Sequence, residues 1–132
     1  MLPPLPKQRR QHEAEFGLLF RRWIEKHPRP SGSYELKDAH GEDRLPFARL
    51  KAEQVAYANK INHGGALIRV LGINGEPDYV WLYRAPAYVV IRYPRCFTII
   101  DVGDYVWERD NTKHRSLSVD RAKVVAIEVV DL

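Results

Sequence analysis

The sequence predicts an α/β protein with a central mixed β-sheet flanked by helices. Two segments with apolar residues at helical spacing lie before and after a short predicted strand. Most of the chain that follows them is predicted to form β-strands. This α-β-α-β-β order is typical of a sheet that helices cover. The 132 residues suffice for one domain with its own core and leave little room for a second.

The N-terminal region is expected to be an arm followed by a helix. Residues 1–11 are basic and rich in proline, so they predict a flexible arm before a single domain at residues 12–132. A helix is predicted at residues 12–27, because large apolar side chains recur there at helical spacing, and Pro28 and Pro30 end it. These apolar residues are Phe16, Leu19, Phe20, Trp23 and Ile24.

The rest of the chain predicts one to three further helices and several strands. A second helix is expected at about residues 46–62. Residues 102–109 fit either a strand extension or a short helix. Ser118 is a candidate cap for a final helix at about residues 119–129, although Val-Val pairs leave a strand open there. Strands are predicted at residues 34–39, 66–72, 79–84, 88–93 and 96–102.

The composition narrows the class of protein. The net charge of +4, from 21 basic and 17 acidic residues, favours a polyanionic partner. Cys96 is the only cysteine, which excludes an internal disulfide and a cysteine-built zinc site and indicates a reducing compartment. No segment has the length of a membrane span, and residues 1–7 lack the apolar core of a signal peptide. We therefore expect a cytoplasmic protein with no membrane partner.

Glu35-Leu36-Lys37 is the strongest candidate for a catalytic motif. Side chains alternate faces along a strand, so Glu35 and Lys37 share one face while Tyr34 and Leu36 face a core. A carboxylate that holds Mg²⁺ beside a lysine that stabilises phosphate charge suits a metal-dependent phosphodiesterase. An ordinary exposed ion pair on a strand is the alternative.

Glu13 and Glu15 are the candidate acids of the first helix. Glu13 falls close to the apolar stripe, where a carboxylate is costly unless it is paired or bound to a metal. Glu15 lies nearer the edge of the stripe. A structural alternative applies to both residues, because acidic side chains stabilise the positive end of a helix dipole.

Gln54 interrupts the apolar stripe of the second predicted helix. Its amide is suited to position a water molecule or to contact a phosphate. A core glutamine that bonds a backbone carbonyl is the alternative. The stripe itself consists of Phe47, Leu50, Ala58 and Ile61.

Basic residues cluster near both ends of the chain. Arg9 and Arg10 in the arm, and Lys113 and Arg115 near the C-terminus, are candidate contacts to nucleic-acid phosphates. The alternative is a solvated charged face.

The motifs, taken in order, resemble the PD-(D/E)XK nuclease superfamily, especially its Holliday-junction-resolvase-like and phage-type members. The resemblance covers about residues 12–70. It implies a restriction-endonuclease-like core in which Glu13, with Glu15 as substitute, and Glu35 bind Mg²⁺ or Mn²⁺. It also implies that Lys37 aids catalysis and that Gln54 supports the site. The matching segments are Glu13-Ala14-Glu15-Phe16 through Trp23, Tyr34-Glu35-Leu36-Lys37, Leu45-Pro46-Phe47, Gln54 and Gly64-Gly65.

The function that this resemblance implies is hydrolysis of phosphodiester bonds in DNA. The expected substrate is branched DNA such as a Holliday junction, in DNA recombination within a bacterial or phage-infected cell. A homodimer is expected, because a symmetric junction calls for two cuts.

The chain departs from the family pattern at one acid. The family places an aspartate on a hairpin before the E-x-K strand, whereas residues 28–34 contain no Asp and have no room for a hairpin. Asp78 is a candidate replacement, or else an ordinary turn residue before a strand. Asp38 is three positions after Glu35, so the alternation of a strand places it on the opposite face.

The missing acid motivates an alternative, a catalytically degenerate DNA-binding or phage accessory protein. A third, weaker hypothesis is a purely structural interaction domain.

Overall fold

The computed structural model describes the backbone of residues 6–132 and the side chains of residues 11–132. The described helices are α1 (Pro6–Lys26), α2 (Ala52–His63), α3 (Val102–Asn111) and α4 (Val119–Val125), and a 3-10 turn spans Phe47–Arg49. The strands are β1 (Ser33–Asp38), β2 (Arg44–Pro46), β3 (Gly65–Leu71), β4 (Pro77–Tyr83), β5 (Ala87–Tyr93), β6 (Cys96–Asp101), β7 (Ser116–Ser118) and β8 (Glu128–Asp131).

A four-stranded mixed sheet forms the centre of the fold. Its strand order is β1-β5-β6-β8, with β1 parallel to β5 and the other two pairs antiparallel. The central strands β5 and β6 are buried along most of their length, because helices cover both faces of the sheet. The predicted α/β class with a mixed sheet flanked by helices is therefore confirmed.

The two faces of the sheet support separate apolar clusters. On one face, Phe16 and Phe20 of α1 pack on Val90, Phe97 and Ile99. The opposite face forms the larger cluster with α2, α3, the 3-10 turn and β7. Its fully buried members include Leu45, Val89, Ile91, Ile100, Tyr105 and Leu117. The side of β1 that a residue faces therefore decides which cluster it joins.

Strands β3 and β4 form a hairpin of their own and do not extend the central sheet. Gly75 adopts a φ of 76° in the turn between them, a conformation that glycine tolerates without strain. One side of the hairpin is apolar and exposed, and we call it the outer hairpin face. It consists of Leu67, Leu71, Tyr79, Trp81 and Tyr83.

Several predicted boundaries are wrong. Helix α1 begins at Pro6 rather than near residue 12, so the backbone of residues 6–11 is helical, while residues 1–5 lie outside the described chain. The second helix begins at Ala52 rather than at Pro46, because Leu45 pairs with Leu117 across β2 and β7 before the 3-10 turn. For residues 102–109, the short-helix alternative is confirmed, because they belong to helix α3.

The C-terminal segment divides into a helix and a strand. Ser118 caps α4, as predicted, since its hydroxyl accepts a hydrogen bond from the backbone N–H of Arg121. The helix ends at Val125, and the Val129-Val130 pair lies in β8 at the edge of the sheet. Among the helices of residues 6–132, none has the length and apolarity needed to cross a membrane.

Candidate active site

Strand β1 places Glu35 and Lys37 side by side. Glu35 pairs in register with Val89 of β5, and Lys37 pairs with Ile91, so both face the larger cluster. The Nζ atom of Lys37 lies 3.4 Å from Oε1 of Glu35. The lysine side chain is 10% exposed and the glutamate side chain 39% exposed. An ammonium at the edge of a core is therefore held beside a carboxylate that solvent can reach.

The opposite side of β1 is apolar, as the alternation predicts. Tyr34 and Leu36 pack against the cluster that α1 forms with the sheet. The ring of Tyr34 lies 5.6 Å from that of Phe20 and 5.0 Å from that of Tyr88, measured between centroids. These contacts fix the rotation of the strand and so keep Glu35 and Lys37 on their shared face.

Gln54 lies in the first turn of α2 and contacts Glu35 directly. Its Nε2 donates a hydrogen bond of 2.8 Å to Oε1 of Glu35. Its Oε1 accepts a hydrogen bond of 3.0 Å from the backbone N–H of Lys51, the residue before the helix. The second bond satisfies one of the free N–H groups at the helix start. Both ends of the amide are thus held, and its donor side faces the carboxylate.

An open cavity of about 320 Å³ lies between β1 and α2, beside this contact. Glu35 and Gln54 line it, together with Ser33, Glu53 and Tyr57. Glu53 is a lining residue that the sequence pattern did not indicate. Its only signal was an acidic side chain directly before Gln54, which reads equally well as a favourable charge in the first helical turn.

No described hydrogen bond or ion pair joins Glu13 to the Glu35 cluster, by which we mean Glu35, Lys37 and Gln54. Its Oε1 accepts a hydrogen bond of 3.1 Å from Nη2 of Arg49 on the 3-10 turn, so it pairs with a cation. Glu15 is exposed on α1 and forms no described ion pair. Of the two helix acids, only Glu13 therefore has a described ion-pair partner, and that partner lies on the 3-10 turn that precedes α2.

The two candidate aspartates lie elsewhere. Asp78 is exposed on β4 and accepts a bond from the neighbouring N–H of Tyr79, and no described hydrogen bond or ion pair joins it to Glu35. Asp38 is buried on the α1 side of β1, where strand parity placed it. Its Oδ2 lies 3.7 Å from Nε of Arg92. No described hydrogen bond joins either aspartate to Glu35.

The C-terminal basic loop lies near the 3-10 turn. Lys113 and Arg115 are exposed there, and the carbonyl oxygen of Arg115 accepts a bond of 2.9 Å from the N–H of Phe47. The loop is thereby tied to the segment that carries Arg49. The side chains of Arg9 and Arg10 lie outside the described residues.

The comparisons add no family to this geometry. No protein-family model, curated protein or solved structure matches the chain. The site holds one carboxylate whose Oε1 contacts both an ammonium and an amide. This carboxylate lines an open cavity that is large enough for a phosphate group.

The donor set is compatible with Mg²⁺ or Mn²⁺. Lys37 and Gln54 both engage Oε1 of Glu35, whereas its Oε2 accepts no described hydrogen bond. Magnesium sites commonly use one or two carboxylates and fill the remaining positions with water and substrate phosphate. Glu35 would provide one such ligand, and Glu53 adds a second carboxylate to the lining of the cavity.

Proposed function

We propose that this chain is a metal-dependent DNA endonuclease that hydrolyses phosphodiester bonds in branched DNA such as Holliday junctions. The proposal includes a restriction-endonuclease-like core of the PD-(D/E)XK type. The observation that carries it is the contact of Glu35 with both Lys37 and Gln54 beside an open cavity. An ordinary solvated ion pair between Glu35 and Lys37 would not require the Gln54 amide, which is held at both ends, to donate to the carboxylate.

Each side chain has a distinct role in the proposed reaction. The Lys37 ammonium stabilises the negative charge that develops on the phosphoryl oxygens during in-line attack by water. Its position at the core edge strengthens that interaction, because the local dielectric is lower than that of water. Gln54 fixes the orientation of Glu35, so Oε2 of this carboxylate keeps one direction.

Glu35, with Glu13 or Glu53 as the second acid, would hold Mg²⁺ or Mn²⁺. When bound, the metal polarises the phosphoryl oxygen and makes water a stronger nucleophile. The Glu13–Arg49 pair has to open before Glu13 can serve as a ligand. Glu53 requires no broken ion pair within the described residues.

Two surface features support branched DNA as the substrate and a homodimer as the active form. Lys113 and Arg115 are exposed next to the 3-10 turn, where they would contact phosphates without reading sequence. The outer hairpin face exposes large apolar side chains, among them Trp81 at 60% and Leu71 at 82%. Contiguous apolar surface of this kind marks interaction sites, and a second copy of the chain supplies the two cuts that a junction needs.

The proposal is tested by cleavage of a labelled four-way junction beside matched duplex and single strand, with Mg²⁺, Mn²⁺ or EDTA. We expect metal-dependent cutting of the junction by the wild type. Glu35→Gln should abolish it while the protein stays folded. Equal cleavage by wild type and Glu35→Gln in Mg²⁺ would exclude this active site.

One alternative function has an observation in its favour. Glu13 forms an ion pair with Arg49, and no described hydrogen bond joins an aspartate to Glu35. Because both features leave fewer carboxylates to hold a metal ion, they fit a degenerate nuclease that only binds DNA. It predicts salt-sensitive junction binding that needs no metal and gives no product with any cation tested.

A further inference from the structure

We propose that His12, Asp38 and His40 form a metal site, separate from the Glu35 cluster, for a borderline transition-metal ion such as Zn²⁺. One ligand atom from each of the three residues lies within 4.8 Å of the other two. The ring centroids of the two histidines are 5.0 Å apart. This inference goes beyond the proposed nuclease function and does not depend on it.

The backbone after β1 brings these ligands together. Oδ1 of Asp38 accepts a hydrogen bond of 2.7 Å from the N–H of His40. His40 has a φ of 54° and Gly41 a φ of 80°, so the chain reverses sharply after the strand. A left-handed conformation is uncommon in a residue with a side chain and needs support from its surroundings. The turn directs His40 back toward His12 on α1.

Asp38 is the ligand with the strongest need for a cation. Its side chain is only 3% exposed, and its Oδ2 has no hydrogen-bond partner. Arg92 approaches this oxygen at 3.7 Å, which is an ion-pair distance but longer than a hydrogen bond. A buried carboxylate oxygen without a hydrogen bond is costly, and a bound metal ion would remove that cost.

The donor set selects the class of ion. Two imidazoles and one carboxylate suit Zn²⁺ and its neighbours, whereas Mg²⁺ prefers oxygen ligands alone. Bonds of about 2.0–2.2 Å place tetrahedral ligands roughly 3.4 Å apart, so small side-chain rotations would close the site. His12 is half-buried, which leaves room for water as the fourth ligand. The ion would tie α1 to the end of β1.

This site and the Glu35 cluster lie on opposite sides of one strand. Asp38 shares the face of Leu36, toward α1, whereas Glu35 and Lys37 face α2. The two sites can therefore be separated by mutation and by choice of metal.

The test is Zn²⁺ titration of the full chain by calorimetry, with Co²⁺ absorption as a probe of ligand geometry. We expect one Zn²⁺ per chain, tetrahedral Co²⁺ bands and a higher Tm with Zn²⁺. His12→Ala and His40→Asn should each weaken binding by more than the roughly 10–100-fold that loss of an outer-shell partner costs. Asparagine is chosen at position 40 because it tolerates a positive φ.

The matched control is His114→Ala, which removes an exposed histidine outside the cluster. It should bind Zn²⁺ like the wild type. The proposal is overturned if the wild type binds no Zn²⁺, or if folded His12→Ala and His40→Asn, checked by circular dichroism, bind it as tightly as the wild type. Junction cleavage plays no part in these readouts, so failure here leaves the nuclease proposal standing.

Discussion

Gln54 links helix α2 to strand β1 by donating a 2.8 Å hydrogen bond from Nε2 to Oε1 of Glu35. The same amide accepts the N–H of Lys51 at the helix start. One side chain therefore stabilises the helix terminus and orients the carboxylate. These two roles predict different outcomes for different substitutions.

Gln54→Ala should lower both stability and activity, whereas Gln54→Glu should lower mainly activity. Alanine removes the helix-start bond and should cost about 0.5–2 kcal/mol of unfolding free energy. Glutamate can still accept the N–H of Lys51, but it faces Glu35 with a like charge and cannot donate. Urea denaturation and junction cleavage of both variants measure the two effects.

The control for these variants is Gln11→Ala, which removes an exposed glutamine of α1. It should match the wild type in both assays. Full cleavage activity in Gln54→Ala would show that orientation of Glu35 by this amide is not needed.

Lys37→Met should slow cleavage strongly with little loss of stability. Methionine preserves much of the packing of the buried lysine stem, and Glu35 remains partly solvated after its partner is lost. Removing a group that stabilises transition-state charge typically lowers the rate by about 10²–10³-fold. Single-turnover cleavage and thermal unfolding measure the two quantities.

Lys60→Met provides the matched comparison, because it removes an exposed lysine from α2. Its cleavage rate should stay near that of the wild type. A Lys37→Met protein that cuts as fast as Lys60→Met would assign Lys37 a structural role only.

The central features of the fold could be predicted because they depend on local periodicity. The period of two in β1 placed Glu35 and Lys37 on one face and Leu36 on the other, and the structure agrees. Strands β5 and β6 are short apolar runs and were also predicted. By contrast, β2 and β7 have three residues each, which is too few to show a periodic pattern. Because β2 was not predicted, the second helix was predicted to begin too early.

Long-range pairs could not be predicted from the sequence. Arg49 is 36 positions from Glu13 in the sequence. Helical or strand periodicity cannot predict a pair between a 3-10 turn and a helix of another layer. Glu108 is 1% exposed and accepts hydrogen bonds from Arg121 on α4 at 2.7–3.1 Å. In the sequence it is an unremarkable acid among charged neighbours. Such pairs follow from tertiary packing, which sets the burial that makes them matter.

The outer hairpin face should be the dimer interface. A double variant, Leu71→Ser with Trp81→Ser, removes two large exposed apolar side chains and should convert a dimer to a monomer. Light scattering after size exclusion measures the mass. The hairpin itself should survive, because its backbone pairing of β3 with β4 involves neither side chain.

Tyr57→Ser is the control for the hairpin variant, since it removes an exposed aromatic side chain from α2 instead. It should leave the mass unchanged. A wild type that is monomeric at all concentrations, or a double variant that stays dimeric, would assign the hairpin another role.

Two buried tyrosines should make the fold sensitive to alkaline pH. Burial raises the pKa of Tyr105 from 10.0 to about 12, and burial also raises the pKa of Tyr93. Each hydroxyl donates to a carbonyl, Tyr105 to that of Phe47 at 3.2 Å and Tyr93 to that of Leu117 at 3.0 Å. Both bonds therefore hold the layer that carries the 3-10 turn and β7.

The direction of the pH effect follows from these raised pKa values. Above pH 10 the unfolded chain loses the tyrosine protons first, so it binds fewer protons than the folded chain and the unfolding free energy falls as pH rises. The stabilisation is complete below pH 10 and is lost as the pH rises through about 12 for Tyr105. The loss should approach about 1 kcal/mol per pH unit for each tyrosine.

Urea denaturation at pH 8, 10 and 11 measures this loss of unfolding free energy. The unfolding free energy of the double variant Tyr93→Phe/Tyr105→Phe should fall less steeply with pH than that of the wild type, while Tyr57→Phe should follow the wild type. Parallel pH dependences in all three proteins would contradict this assignment.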